Sequence, residues 1–215
     1  MVVATLPAMG SIDETVESPG LRERKKEQTR AAISEAAREL FETQGFAATT
    51  IPQVAERAQV SPRTVSYYFP EKEELVFPDR DELLAELEGA LSDRLEGETA
   101  GDTLLRWLMT FTERSPEDQE RDRSRRCIVD DDPGLRAYEL EFESRAEAIV
   151  AASFAEDLSL PVDHHVPRMI AAATLAALHS LGGEEDEKPD PDRARELIED
   201  VMAFITAGAR EFAAD

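Results

Sequence analysis

Residues 60–76, VSPRTVSYYFPEKEELV, set a row of hydrogen-bonding side chains at helical spacing behind a Ser-Pro pair. Arg63 offers a forked guanidinium able to pair with a guanine edge, while Thr64 and Ser66 carry hydroxyls that bond bases or phosphates. Tyr67 adds a phenol that can bond a phosphate or lie along a sugar. With Val65 and Phe69 taken as inward, the 100° step of a helix turns Arg63, Thr64, Ser66 and Tyr67 to the opposite side. Lys72, just past this helix, stands where a phosphate would pass. This is binding chemistry, directed at a large polyanion.

The elements that must hold these groups are legible upstream. Ser61 can cap the helix and Pro62 suits its first turn, because a proline there gives up only an amide that has no partner anyway. Thr50-Ile-Pro-Gln53 has the form of a capping box, followed by an apolar face at Ile51, Val54, Ala55 and Ala58 that runs out at Gln59. Before it, Ile33, Ala36, Ala37, Leu40 and Phe41 form the stripe of an amphipathic helix over Arg22–Gln44, ended by Gly45. Two short helices joined by AQVS (58–61) and braced by a longer one make a helix-turn-helix, whose second helix can enter a major groove. Spacing alone is equally compatible with three ordinary core helices.

Beyond this head the chain reads as helices near 71–96, 101–114, 117–130, 133–158, 163–181 and 190–213, with no strand alternation. The breaks fall at Gly97 and Gly101, Ser115-Pro116, Asp132-Pro133-Gly134, Pro161 and the acidic loop from Gly182. No repeat of 20–50 residues suggests a solenoid. The expected fold class is all-α: an N-terminal three-helix helix-turn-helix domain (21–70) followed by a larger helical bundle (71–215), with residues 1–20 as a disordered arm.

Composition bounds the function. The 215 residues are 41% hydrophobic and 33% charged, which places the chain among folded globular proteins. One cysteine, Cys127, forms no intrachain disulfide, and the opening MVVATLPAMG lacks the basic start of a secretory signal, so the expected setting is the cytoplasm. No run approaches the roughly 18 apolar residues of a membrane helix. The net charge of −23 opposes indiscriminate binding to nucleic acid or anionic membranes. Its distribution is uneven, because from Leu21 to Lys72 nine basic residues face only seven acidic ones, so nearly all the excess acid lies in the body.

The stretch 28–76, QTRAAISEAARELFETQGFAATTIPQVAERAQVSPRTVSYYFPEKEELV, resembles the DNA-binding domain of TetR-family regulators. The likeness runs in order through "A…LF…GF", the "ATT" entry to the second helix, the "VA…A.VS" turn and the "YYFPEKEEL" exit. It implies base and phosphate contacts from Arg63, Thr64, Ser66 and Tyr67. It also implies phosphate anchoring by Thr50 and by Tyr68 or Lys72, and an approach from the basic start of the first helix. Gln59 departs from the pattern, since many members have Gly there; a left-handed Gln costs about 1 kcal/mol. Arg63 and Ser66 also replace common residue types, so no operator sequence is carried over.

The same resemblance implies a body that binds a ligand and dimerises. The last two helices carry Ala172, Leu175, Ala176, Leu197, Val201, Phe204, Ile205 and Gly208 on wide faces suited to an intersubunit four-helix bundle, or to closing the monomer core. A dimer implies a palindromic double-stranded operator. Candidate ligand contacts are Trp107, Phe111, Tyr138, Phe142, Met169 and His179, with Met109 and Phe154, each of which also suits a plain core. Trp107 with Phe111, one turn apart, is the expected pocket wall for a small hydrophobic or amphipathic ligand.

Arg121, Arg123, Arg125 and Arg126 form a basic run that either pairs with Glu117, Asp118 and Glu120 or holds a ligand's phosphate or carboxylate through Arg125 and Arg126. KEELVFPDRDELL and DDPGLRAYELE are similar to the subgroup of mycofactocin-type regulators, which implies an acyl-coenzyme A ligand.

Other chemistries find no support. His164-His165 points in two directions about 100° apart and lacks a ligand at i, i+4, Asp130-Asp131-Asp132 lacks the spacing of a calcium loop, and no phosphate loop or nucleophile elbow occurs. No cofactor or metal is expected, and no catalysis. Three classes stay open: a ligand-released repressor, a DNA-binding regulator without a small-molecule inducer, and an unrelated α-helical adaptor or enzyme.

Overall fold

A computed structural model of the chain describes residues 20–113, 115–181 and 191–213. The expected arm at 1–20 lies outside the described residues except for Gly20. Among the described residues nine α-helices and no strand occur, which is the all-α fold the patterning predicts.

Helix α1 (Leu21–Gln44) buries Ile33, Ala36, Ala37 and Phe41 and stops where Gly45 turns to φ 83°, its amide returning to the Phe41 carbonyl at 2.9 Å. Helix α2 (Ile51–Arg57) starts on the Thr50–Gln53 capping box and buries Val54 and Ala55. Helix α3 (Pro62–Tyr68) starts on Ser61, whose hydroxyl accepts the Thr64 amide at 3.1 Å, and it buries Val65. The inward faces of the three helices meet in one apolar cluster with Phe69, which Leu75, Val76, Phe77, Val129 and Leu135 complete from outside the head.

The body consists of α4 (Arg80–Ser92), α5 (Ala100–Met109), α6 (Pro116–Asp130), α7 (Pro133–Leu158), α8 (His165–Leu181) and α9 (Pro191–Ala213). Its core joins Leu84, Leu87 and Leu91 of α4 to Leu104 of α5, Val150 and Phe154 of α7, Ile170 of α8, and Met202 and Ile205 of α9. Helix α7 is the central pillar, packed against α4, α5, α6, α8 and α9. Asp132 caps it by accepting the Gly134 amide at 2.8 Å and the Leu135 amide at 3.3 Å. The aspartate run is thus a helix end followed by a cap, as its spacing suggests.

Two expected helices are shorter than the pattern implied. The span 71–96 is a 3-10 turn (Glu73–Leu75), a bend, and then α4, because Pro78 lacks an amide and pushes Phe77 away from helical geometry. The far end stops at Ser92; there Arg94 donates to the Leu91 carbonyl at 3.1 Å and pairs with Asp157 and Glu156, tying the loop to α7. The span 101–114 tightens into a 3-10 turn (Thr110–Glu113) after α5. The Thr110 and Thr112 hydroxyls there donate to the Trp107 and Met109 carbonyls, at 2.7 Å and 2.8 Å, and such local bonds compete with a regular ladder.

Candidate nucleic-acid interface

Helix α3 presents two chemically distinct faces. Val65 and Phe69 are buried, and on the opposite side Arg63 and Ser66 are exposed and Tyr67 is 74% exposed. A large aromatic so far out of the core gains nothing from the monomer, and its phenol and ring edge are available to a partner. Tyr68 is half-buried and meets Tyr67 edge-on with ring centroids 5.3 Å apart, which fixes the outer ring's direction. Thr64 is half-buried and its hydroxyl shares a 2.8 Å hydrogen bond with the Ser61 cap, so it has one foot in the helix start.

The turn before α3 is a Schellman closure of α2. The Val60 amide reaches the Ala55 carbonyl at 2.9 Å and the Gln59 amide the Glu56 carbonyl at 3.2 Å. That geometry puts Gln59 at φ 56°, the left-handed region anticipated from the absence of glycine. Thr50 is exposed at the other edge, with its amide donating to Gln53 Oε1 at 2.8 Å and its hydroxyl to the same oxygen at 2.9 Å.

Lys72 is held more tightly than its sequence position suggests. Its ammonium donates to the Phe46 carbonyl at 2.6 Å and sits 4.0 Å from the centre of the Phe46 ring. Burial pushes its pKa down, partly opposed by Glu73 and Asp132. Two of its three N–H groups remain for a phosphate.

Other cations of the head are matched internally. Arg38 pairs with Glu35 and Glu42, Arg57 with Glu39, and Arg30 with Asp79 and Glu82. Arg22, Arg24, Lys25 and Lys26 at the start of α1 are exposed, like Arg63, and none of these five has an ion pair among the described residues. The free positive charge of the head is therefore concentrated on α3 and the start of α1.

In the body, the candidate ligand residues separate into groups. Trp107 and Phe111 meet edge-on, centroids 4.7 Å apart at 71°, and Trp107 packs against the body core. Tyr138 and Phe142 instead surround Arg80, which lies 4.8 Å and 4.5 Å from their ring centres and 4.0 Å from that of Phe77. Met169, expected on an inner face, is 51% exposed because its register on α8 points away from the core. The His179 side chain lies outside the described residues. Arg125 pairs with Asp122 at 2.6 Å and Arg121 with Asp118 at 3.4 Å, each three residues back along α6, while Arg126 is exposed.

An open cleft of about 510 Å³ is lined by Glu71, Glu73, Gly134, Ala137, Tyr138 and Glu141, whose carboxylates repel an anionic ligand. Arg30 did not stand out in the sequence, and Arg80 did so only as part of the KEELVFPDRDELL run, not for a role of its own. Among the described residues no group of His, Cys, Asp or Glu is arranged to hold a metal, and no helix is long and apolar enough to cross a membrane.

Comparison with known proteins adds a family context. Residues 33–78 match the model of bacterial regulatory proteins of the tetR family, and residues 99–210 match that of the MftR C-terminal domain. The HTH-type transcriptional regulator TcmR of Streptomyces glaucescens is 32% identical over 197 residues, spanning 85% of this chain and 84% of its own. NalD, the secondary repressor of the MexAB-OprM multidrug efflux pump in Pseudomonas aeruginosa, superposes with a TM-score of 0.61 at 24% identity, over 83% of this chain and 96% of its own. The SmeT–triclosan complex does so with a TM-score of 0.55 at 17% identity, over 82% and 91%. The two solved structures share the fold.

Proposed function

This chain belongs to the TetR family of bacterial regulatory proteins and is a DNA-binding transcriptional regulator, and from that premise we propose that it represses transcription as a homodimer on a palindromic operator. The observation that carries the reading is the outward face of α3, where Arg63, Ser66 and Tyr67 project beyond a buried Val65 and Phe69. Residues 21–70 form the DNA-binding domain and residues 71–215 the ligand-binding and dimerisation domain. Arg63, Thr64, Ser66 and Tyr67 contact bases and nearby phosphates, while Thr50, Tyr68 and Lys72 anchor the flanking backbone.

The dimer forms through α8 and α9. Support comes from Phe204, 77% exposed on α9, and Met169 on α8, large apolar groups that a lone chain would leave in water. Two copies so joined present their recognition helices about 34–36 Å apart, one turn of DNA.

A small hydrophobic or amphipathic ligand bound in the body releases the DNA. Residues 99–210 match the MftR C-terminal domain, in keeping with the resemblance to mycofactocin-type regulators that implies an acyl-coenzyme A; Trp107, Phe111, Tyr138 and Phe142 are its proposed apolar contacts, His179 a polar one, and Arg125 and Arg126 meet its phosphates. A regulator without a small-molecule inducer is the second reading, favoured by the way Phe111 closes against the Trp107 ring.

Mobility shift at low salt on the DNA upstream of the chain's own gene and on sites found by genomic footprinting tests the DNA reading. Selective retention is expected, and failure on all of them overturns it, since phosphate contacts strengthen as salt falls. Calorimetry with long-chain acyl-coenzyme A separates the two ligand readings: heat and DNA release support the first, and their absence the second.

A further inference from the structure

The segment Phe77–Glu82, FPDRDE, is gripped from two sides by residues that alternate along it. From the head, Arg30 on α1 donates to the Pro78 carbonyl and pairs with Asp79 at 3.6 Å and Glu82 at 3.0 Å. The same guanidinium lies 5.3 Å from the centre of the Phe69 ring, at the end of the recognition helix. From the body, Tyr138 on α7 accepts a 2.7 Å hydrogen bond from Arg80 through its carbonyl, and Arg145 on α7 pairs with Asp81 at 3.1 Å.

Arg80 is the unusual member. Its guanidinium is half-buried between Phe77, Tyr138 and Phe142, two of whose rings, Phe77 and Tyr138, stack with centroids 5.7 Å apart. Among the described residues it has no ion pair, in a chain with 47 acidic residues. Burial lowers its pKa to about 10, with nearby Arg125 acting in the same direction and Tyr138, Glu139 and Glu141 opposing. A cation held this way is fixed by ring faces and one carbonyl, a geometry that a flexible salt bridge does not impose.

We infer that Arg80 and Arg30 are positioning residues for operator recognition: clamping Phe77–Glu82 between α7 and α1, they fix the angle of the head on the body and so the half-site spacing the dimer accepts. The inference rests on the dimeric operator reading above. Neither side chain touches DNA in this role. One extra base pair between half-sites displaces the second by about 3.4 Å and rotates it by about 35°, which a rigidly mounted head cannot follow. A loosened head can swivel to engage both half-sites, at the cost of selectivity for spacing.

The test uses the full-length dimer and its footprinted operator, with spacers lengthened or shortened by one base pair, read by fluorescence anisotropy. The wild type is expected to lose affinity by about tenfold or more on either altered spacer, because bivalent engagement is broken. Arg80→Gln and Arg30→Gln are expected to lose less than about threefold, with isolated half-site affinity unchanged. Arg80→Lys, which keeps the charge but not the flat stacked face, falls between.

A merely structural role would weaken all spacers together. Discrimination in both glutamine variants equal to wild type refutes this inference alone. Absence of any selective binding by the wild type refutes the operator reading beneath it. Should Arg80→Gln lose its helical circular dichroism, Arg30→Gln and Arg80→Lys decide the matter by the same measurement.

Discussion

Replacing Gln59 by glycine should stabilise the protein. Gln59 closes α2 with φ 56°, where the β-carbon of an L-residue crowds the following carbonyl at a cost of roughly 1–2 kcal/mol. Glycine removes that cost but brings a more disordered unfolded chain, which returns roughly 0.4–1 kcal/mol. The expected net gain is about 0.5–1 kcal/mol, a rise in Tm of about 1–4 °C for a chain of this size. Both Schellman hydrogen bonds use backbone atoms only and survive the change. Thermal unfolding by circular dichroism, at one fixed protein concentration because the proposed dimer would make Tm concentration-dependent, provides the measurement. Gln59→Ala keeps the β-carbon and should leave Tm within about 1 °C. A glycine variant no more stable than the alanine variant would refute the argument, since the strain it removes would then not exist.

Gly101→Ala should do the reverse, because a β-carbon there would overlap Cγ2 of Thr206 on α9. The Thr206 hydroxyl is tied to the Met202 carbonyl at 2.7 Å, so the loss should be about 1–3 kcal/mol in urea unfolding, and Thr206→Ser should relieve much of it. Phe204→Glu should convert the dimer to monomer in sedimentation at micromolar concentration while keeping the helical signal, because it places a charge in the proposed α8–α9 interface. Arg63→Ala should cost about 1–3 kcal/mol on the cognate operator and relax selectivity at one base pair, read by anisotropy on a set of single-base variants.

Glu98 gives a pH prediction. The Arg106 guanidinium beside it holds its carboxyl down to about 2, helped by the Thr103 hydroxyl and the Leu95 amide. A depressed carboxyl contributes stability that is fully present above about 4.3, the unfolded value, and is lost as pH falls through about 2. Arg106→Gln should therefore lower Tm above that window and bring variant and wild type together toward pH 2.

The head was legible because its signals are local. Thr50, Gln53, Ser61, Pro62 and Gly45 each act on their own helix end, and the register of Val65 against Arg63, Ser66 and Tyr67 follows from helix geometry alone. The path of the chain after α3 was less so. Pro78 sits in a helix-like pattern, and reading 71–96 as continuous underrated the missing amide. Long-range partners were out of reach: nothing within the sequence near Lys72 points to Phe46, nor anything near Arg80 to Tyr138 and Phe142 some 60 residues later. Met169 was placed inside because an apolar side chain in a helical stripe reads alike whether it meets its own core or a second copy.

The internal matching of Arg30, Arg38 and Arg57 by carboxylates has a thermodynamic consequence for binding. Cations already neutralised by protein displace few condensed ions from a duplex, so in the proposed complex the ionic sensitivity would be set by Arg22, Arg24, Lys25, Lys26, Arg63 and Lys72. With each of the six meeting one phosphate in both halves of the proposed dimer, the slope of log K against log salt would be no steeper than about −11. The remaining affinity must come from contacts that salt does not screen, and those distinguish one sequence from another.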